Sequence, residues 1–137
     1  MPTPSRWMVR LSFVYLLLGI LMGALMLIQK AYILHPAIWV LLPIHIEVTI
    51  FGWIIQLTLG TAYYMLPRFL EGPPRGDSTL AYVMITSLNL GIIFVIANSL
   101  LSFDLPLGLT GRIFELAAVG LFVALHWNRI VTYRTAG

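Results

Sequence analysis

The chain has 137 residues, 60% of them hydrophobic and 9% charged. A charged fraction so far below the quarter usual in soluble domains excludes an ordinary water-facing fold and indicates a protein surrounded by lipid. No cysteine is present, which excludes disulfides, iron–sulfur ligation, thiolate haem ligation and covalent c-type haem attachment. The formal charge of +3 comes largely from residues flanking the apolar runs, so it bears on topology and gives no sign of nucleic-acid binding.

Four apolar runs follow one another: Leu11 to Ile33, Ala37 to Leu66, Thr79 to Leu101 and Leu107 to Val131. Each is near the ~20 residues that cross a ~30 Å hydrocarbon layer, which predicts an all-α integral membrane domain of four transmembrane helices. Arg6 and Arg10 precede the first run, but it is too long for a signal-peptide core and lacks a small-residue cleavage site, so it is expected to stay in the mature chain. In the second run, Pro43 predicts a kink or an interfacial first turn. Glu71 to Ser78 reads as the one true polar loop. Arg6, Arg10, Arg68, Arg75, Arg129 and Arg134 then fall on one side, Lys30 and Arg112 on the other. Six against two predicts cytoplasmic termini. Trp7, Trp39 and Trp127 lie near the expected membrane boundaries, as aromatic belts do.

His45 stands in the second run among hydrocarbon. A buried polar ring without a partner costs about 1–3 kcal/mol, no water is at hand to compensate, and intramembrane ionisable groups mark function. At about 100° per residue, Thr49, Gly52, Gln56 and Tyr63 fall within about 40° of His45, with Glu47 nearly opposite. Such a stripe fits an interhelical seam, because small and polar residues mediate packing in membranes. It also fits a haem site, with His45 as axial ligand and Gly52 leaving room for a flat macrocycle. A histidine bonded to Gln56 or Asn89 gives the same pattern. In the fourth run Arg112, Glu115, Val119, His126 and Arg129 share a face within about 60°, and Arg112 and Glu115 are spaced to pair. Glu47 with Glu115 would also suit a proton-accessible or quinol-binding pair. His126-Trp127 is expected to mark the inner interface.

His45, Gly52-Trp53 and the closing Gly60-Thr61-Ala62-Tyr63-Tyr64-Met65-Leu66-Pro67 resemble the second helix of the catalytic subunit of haem–copper oxidases, in the nitric oxide reductase and C-type oxidase branch. The resemblance runs from Pro43 to Phe69. It implies that His45 is an axial ligand of a low-spin haem b near the outer side and that Arg112 neutralises haem propionates. It also implies a place in a respiratory membrane, here the prokaryotic cytoplasmic membrane. Short four-helix relatives of that subunit exist, some linked to reductase or oxidase complexes. The full subunit, however, takes its second haem ligand from a late helix and uses further histidines at its binuclear centre. This chain has three histidines, so it is not expected to act as an enzyme alone.

At ~1.5 Å per residue, His45 lies about 12 Å and His126 about 28 Å inside the outer boundary, so one iron cannot take both. His35 would need a fold-back. A parallel homodimer sets two copies of His45 at equal depth, and a trimer would imitate the three four-helix arcs of the larger subunit. Gly19-x-x-x-Gly23 offers a further face for close packing. The expected function is therefore electron transfer by haem b shared between chains, within or beside a respiratory complex. The alternatives are a haem-free accessory or assembly subunit and a quinol-binding cytochrome b.

Overall fold

The computed structural model describes residues 1–67, 76–101 and 106–131. Four helices make up the described chain: α1 (Thr3–Tyr32), α2 (Pro36–Met65), α3 (Ser78–Leu100) and α4 (Leu107–Val131). All four are long and apolar enough to cross a membrane, which points to an integral membrane protein. Three begin within a residue of expectation. α1 begins well before Leu11, because the apolar run marks only the hydrocarbon-crossing part, while a proline at the first helical turn lets the helix continue outward. Its 30 residues reach about 45 Å, which spans headgroups as well as core.

α2 changes its winding along its length. It opens with a 3₁₀ turn, Pro36–Val40, headed by His35, whose Nδ1 accepts the Ala37 N–H at 3.2 Å. An α-helical stretch, Leu41–Glu47, contains Pro43. A π-helical stretch follows at Val48–Ile55, before α-helix resumes at Gln56–Met65. Five of the eight π residues are Val, Thr or Ile, whose branched Cβ atoms crowd an α turn, and Gly52 sits among them.

α1 lies antiparallel along α2, and α3 along α4, so the bundle is two hairpins that meet chiefly between α2 and α3. Each hairpin closes on glycines. A Cβ at Gly60, Gly52, Gly19 or Gly23 would run into Met8, Tyr15, Thr49 or His45 respectively, and a Cβ at Gly91 or Gly111 would meet the other's carbonyl oxygen at 2.8 Å. Small residues of this kind let membrane helices approach until their backbones nearly touch. Gly19 and Gly23, expected to offer a face to another chain, are used inside this one.

The core runs through the middle, with Leu59, Met84, Leu88, Ile92 and Ala118 among its members. Outward, Leu17, Leu27, Ile93, Leu116 and Trp127 are exposed, as lipid-facing side chains would be. Ser5 Oγ donates to the Gly60 carbonyl at 2.6 Å, and Arg129 Nε to that of Pro67 at 2.7 Å. The start of α1 and the end of α4 therefore lie at one end of the bundle. Asp77 caps α3 by accepting the Thr79 N–H at 2.7 Å. Arg68, Arg75, Arg134 and residues 71–75 of the polar loop lie outside the described residues.

Candidate functional site

His45 sits on the α1–α2 seam, where its Nδ1 lies 2.9 Å from the Gly19 carbonyl oxygen. A carbonyl only accepts, so Nδ1 carries the proton and Nε2 keeps its lone pair. Nε2 makes no hydrogen bond among the described residues. Gly23 lies against the ring edge, where a Cβ would be 3.1 Å from Cε1. Gln56 and Asn89 are not the partners of His45. Gln56 Nε2 donates to the Met8 carbonyl at 3.4 Å; Asn89 Oδ1 accepts the Tyr15 hydroxyl at 2.9 Å while its Nδ2 donates to the Ile85 carbonyl.

The polar stripe divides into two. Thr49, Gly52 and Gln56 follow His45 onto α1 and form its packing seam. The notch at Gly52 is filled by Tyr15, whose Cγ would be 2.5 Å from an added Cβ, so the space expected for a macrocycle holds an aromatic ring of the chain itself. Tyr63 leaves the stripe and packs edge-on against His126. A π turn takes in more residues than an α turn, so residues beyond it are rotated away from an α-helical projection.

On the opposite face of α2, as expected, stands Glu47, and it belongs to a cluster with α4. Arg112 Nη2 is 2.8 Å from Glu47 Oε2, and its Nη1 is 2.7 Å from Glu115 Oε2. The carboxylates are 1% and 2% exposed, whereas the Arg112 side chain is 49% exposed and lies over the Phe51 ring. Gly91 admits Glu115, because a Cβ there would meet Cγ at 2.7 Å. The Oε1 atoms of both acids are buried without a hydrogen-bond partner. One cation thus serves two acids and ties the hairpins together. The Arg112–Glu115 pair was readable from spacing three. Glu47 and Glu115, also expected to pair, do stand together, through an Arg112 bridge that spacing alone did not announce.

Near the far end of α2, His126 is buried in the bundle, whereas its neighbour Trp127 is exposed. Its Nδ1 donates to the Phe122 carbonyl at 2.7 Å and its ring stacks on Phe122, while its Nε2 has no partner. Arg129, read as a topology charge, donates to the carbonyls of Leu66 at 2.6 Å and Pro67 at 2.7 Å. It caps the carbonyl end of α2, where a cation also suits the helix dipole. His126 lies level with Tyr63, roughly 25 Å along α2 from His45 at ~1.5 Å per residue.

Comparisons with protein-family models, curated proteins and solved structures find no match to this chain. Its own residues carry the functional reading. Among the described residues no three His, Asp or Glu side chains gather as a metal-binding group. A haem needs only one donor from each side, and His45 presents one; of the residues expected around it, Thr49, Gly52 and Gln56 face α1, and Arg112 is held by two acids across α2.

Proposed function

We propose that this chain is a b-type haem-binding membrane protein in which Nε2 of His45 ligates the iron, and that it carries electrons within or beside a respiratory complex. The reading is supported above all by the hydrogen bond from His45 Nδ1 to the Gly19 carbonyl. Metal-ligating histidines commonly hold their second ring nitrogen on a backbone carbonyl, which fixes the tautomer and raises the basicity of the ligating nitrogen. His45 has that arrangement with Nε2 unbonded. Gly19 and Gly23 let α1 approach closely enough to hold the ring, and the side chains exposed on either side of it along α2, Leu42 and Ile46, are apolar. Haem bound there would supply one-electron chemistry; the chain would orient it and keep water away. In this reading the protein sits in a prokaryotic cytoplasmic membrane with both termini inside.

Replacing His45 with Ala should abolish the sharp visible bands of reduced haem b, whereas His126→Ala should leave them intact. A normal haem spectrum in the His45→Ala protein would refute the assignment. The filled notch at Gly52 favours a second reading, a haem-free accessory or assembly subunit whose α2 pattern serves packing alone. The optical spectrum of the purified wild-type protein separates the two, since an apoprotein has no such bands.

A further inference from the structure

We infer that a groove on the outside of the α3–α4 hairpin holds one acyl chain of an amine-headed phospholipid, with the headgroup ammonium set against Asp77. The groove has a volume of about 480 Å³ and runs from Thr79 and Leu121 at one end to Leu90 and Ile113 at the other. That volume lies within the ~300–1,000 Å³ of sites that take a single small molecule. Its lining is nearly all carbon. The Ser87 hydroxyl, which also lines it, already donates to the Phe114 carbonyl at 2.7 Å. A ligand recognised by polar contacts along its length finds little to bond there, whereas hydrocarbon finds a matching surface. The inference does not depend on haem, since His45 lies on the α1–α2 seam.

Reach decides between kinds of hydrocarbon. From Thr79 to Leu90 is roughly 16 Å along α3 at ~1.5 Å per residue, about half of a ~30 Å hydrocarbon layer. Beyond Leu90 the two backbones close on each other, because a Cβ at Gly91 would stand 2.8 Å from the Gly111 carbonyl oxygen. The groove therefore belongs to one leaflet, that in which α3 begins. A helix of a second chain crosses both leaflets and would match it over half its length; a lipid tail of that leaflet matches all of it. The mouth then sets the headgroup. Thr79 stands in the first turn of α3 beside Asp77, whose Oδ1 accepts its N–H at 2.7 Å. Asp77 is exposed and makes no ion pair among the described residues. Tyr82, also exposed, brings an aromatic ring of the kind found at headgroup level. A carboxylate at the mouth repels an anionic headgroup and attracts a cationic one. A primary ammonium can also donate hydrogen bonds to it, which a methylated choline cannot.

The test offers the full chain, in mixed detergent micelles, phosphatidylethanolamine, phosphatidylcholine and phosphatidylglycerol with identical acyl chains, and reads the retained lipid by native mass spectrometry. One lipid per chain should stay bound, ethanolamine preferred over choline by about two- to fivefold, as an exposed ion pair allows, and glycerol least favoured. Asp77→Asn should erase the preference for ethanolamine, because asparagine keeps the helix cap and loses only the charge. Ala117→Trp, which fills the groove, should remove the lipid, whereas Leu116→Trp, exposed outside the groove, should not. A phosphatidylethanolamine with a diazirine in its acyl chain should label the groove residues of α3 and α4 above all others. Asp77→Asn and the labelling map change nothing inside the fold, so they decide even if the tryptophan is not accommodated. No retained lipid, labelling spread evenly over the four helices, a preference for the anionic headgroup or one that survives Asp77→Asn, and lipid retained in a folded Ala117→Trp protein would each overturn the inference. So would an isoprenoid carried through purification in the groove, or a two-chain particle whose contact is the groove.

Discussion

Gly52→Ala should be among the most damaging of the alanine substitutions at glycine, and the structure says why. The added Cβ would stand 2.5, 2.8 and 2.9 Å from Cγ, Cδ1 and Cβ of Tyr15, which are the root of that side chain and not its flexible tip. The other end of the ring is held too, by the hydroxyl's 2.9 Å bond to Asn89 Oδ1. Relief requires α1 to move or the ring to swing off Asn89. Overpacking of this kind costs about 1–3 kcal/mol and a lost hydrogen bond about 1 more, so the expected loss is about 2–4 kcal/mol. Gly120 gives the control, since a Cβ there meets nothing within 4 Å and alanine gains up to ~1 kcal/mol in helix propensity. The two substitutions should move stability in opposite directions when unfolding in mixed micelles is followed by far-UV circular dichroism. Placing Gly52→Ala in a Tyr15→Ala background should remove most of its cost, as expected of residues in contact. The seam as described would be wrong if Gly52→Ala proved as harmless as Gly120→Ala, or if its cost were the same with Tyr15 gone.

Arg112→Met leaves Glu47 and Glu115 buried without their cation, and because the arginine is half-exposed the loss should fall near the low end of the roughly 3–5 kcal/mol typical of broken buried pairs. Adding Glu47→Gln and Glu115→Gln should recover most of it in the same unfolding assay. Arg129→Met strips donors from the carbonyls of Leu66 and Pro67 and should cost about 2–3 kcal/mol, with Arg129→Lys restoring only part, because an ammonium cannot copy the guanidinium fork. Reporter fusions at either terminus should report a cytoplasmic location; an external C-terminus would reverse the proposed orientation.

Four helices were legible, three of them with nearly their observed limits, because length and hydropathy alone decide whether a segment can span hydrocarbon; the outward extension of α1 from Leu11 to Thr3 was not, since those residues need not be apolar. Less could be read of what each polar residue meets. An α-helical projection set His45 and Glu47 on opposite faces correctly, since only α-helix lies between them, but it put Tyr63 in line with His45 because a uniform 100° per residue leaves out the π winding of Val48–Ile55. Gly52 was recognisable as a notch. That Tyr15 fills it depends on the antiparallel register of α1 against α2, which periodicity within either helix does not contain. Arg129 looked like one more charge in the positive-inside pattern; its capping role appears only once the end of α2 lies beside α4.

The bridge from Glu47 to Arg112 has a consequence for the order in which the molecule is made. A chain synthesised at ~5–20 residues per second delivers α4 several seconds after α2. During that wait α2 holds an acid inside the bilayer with no cation to meet it, a handicap of ~2.5–3.5 kcal/mol on the insertion scale for a charge at mid-helix. The surrounding hydrocarbon of α2, its glycine contacts with α1 and the hydrogen bonds between the two helices hold the first hairpin meanwhile. The second hairpin, on arriving, brings the arginine and makes the earlier insertion hard to reverse, so a nascent chain truncated before α4 should be a preferred substrate for membrane quality-control proteases.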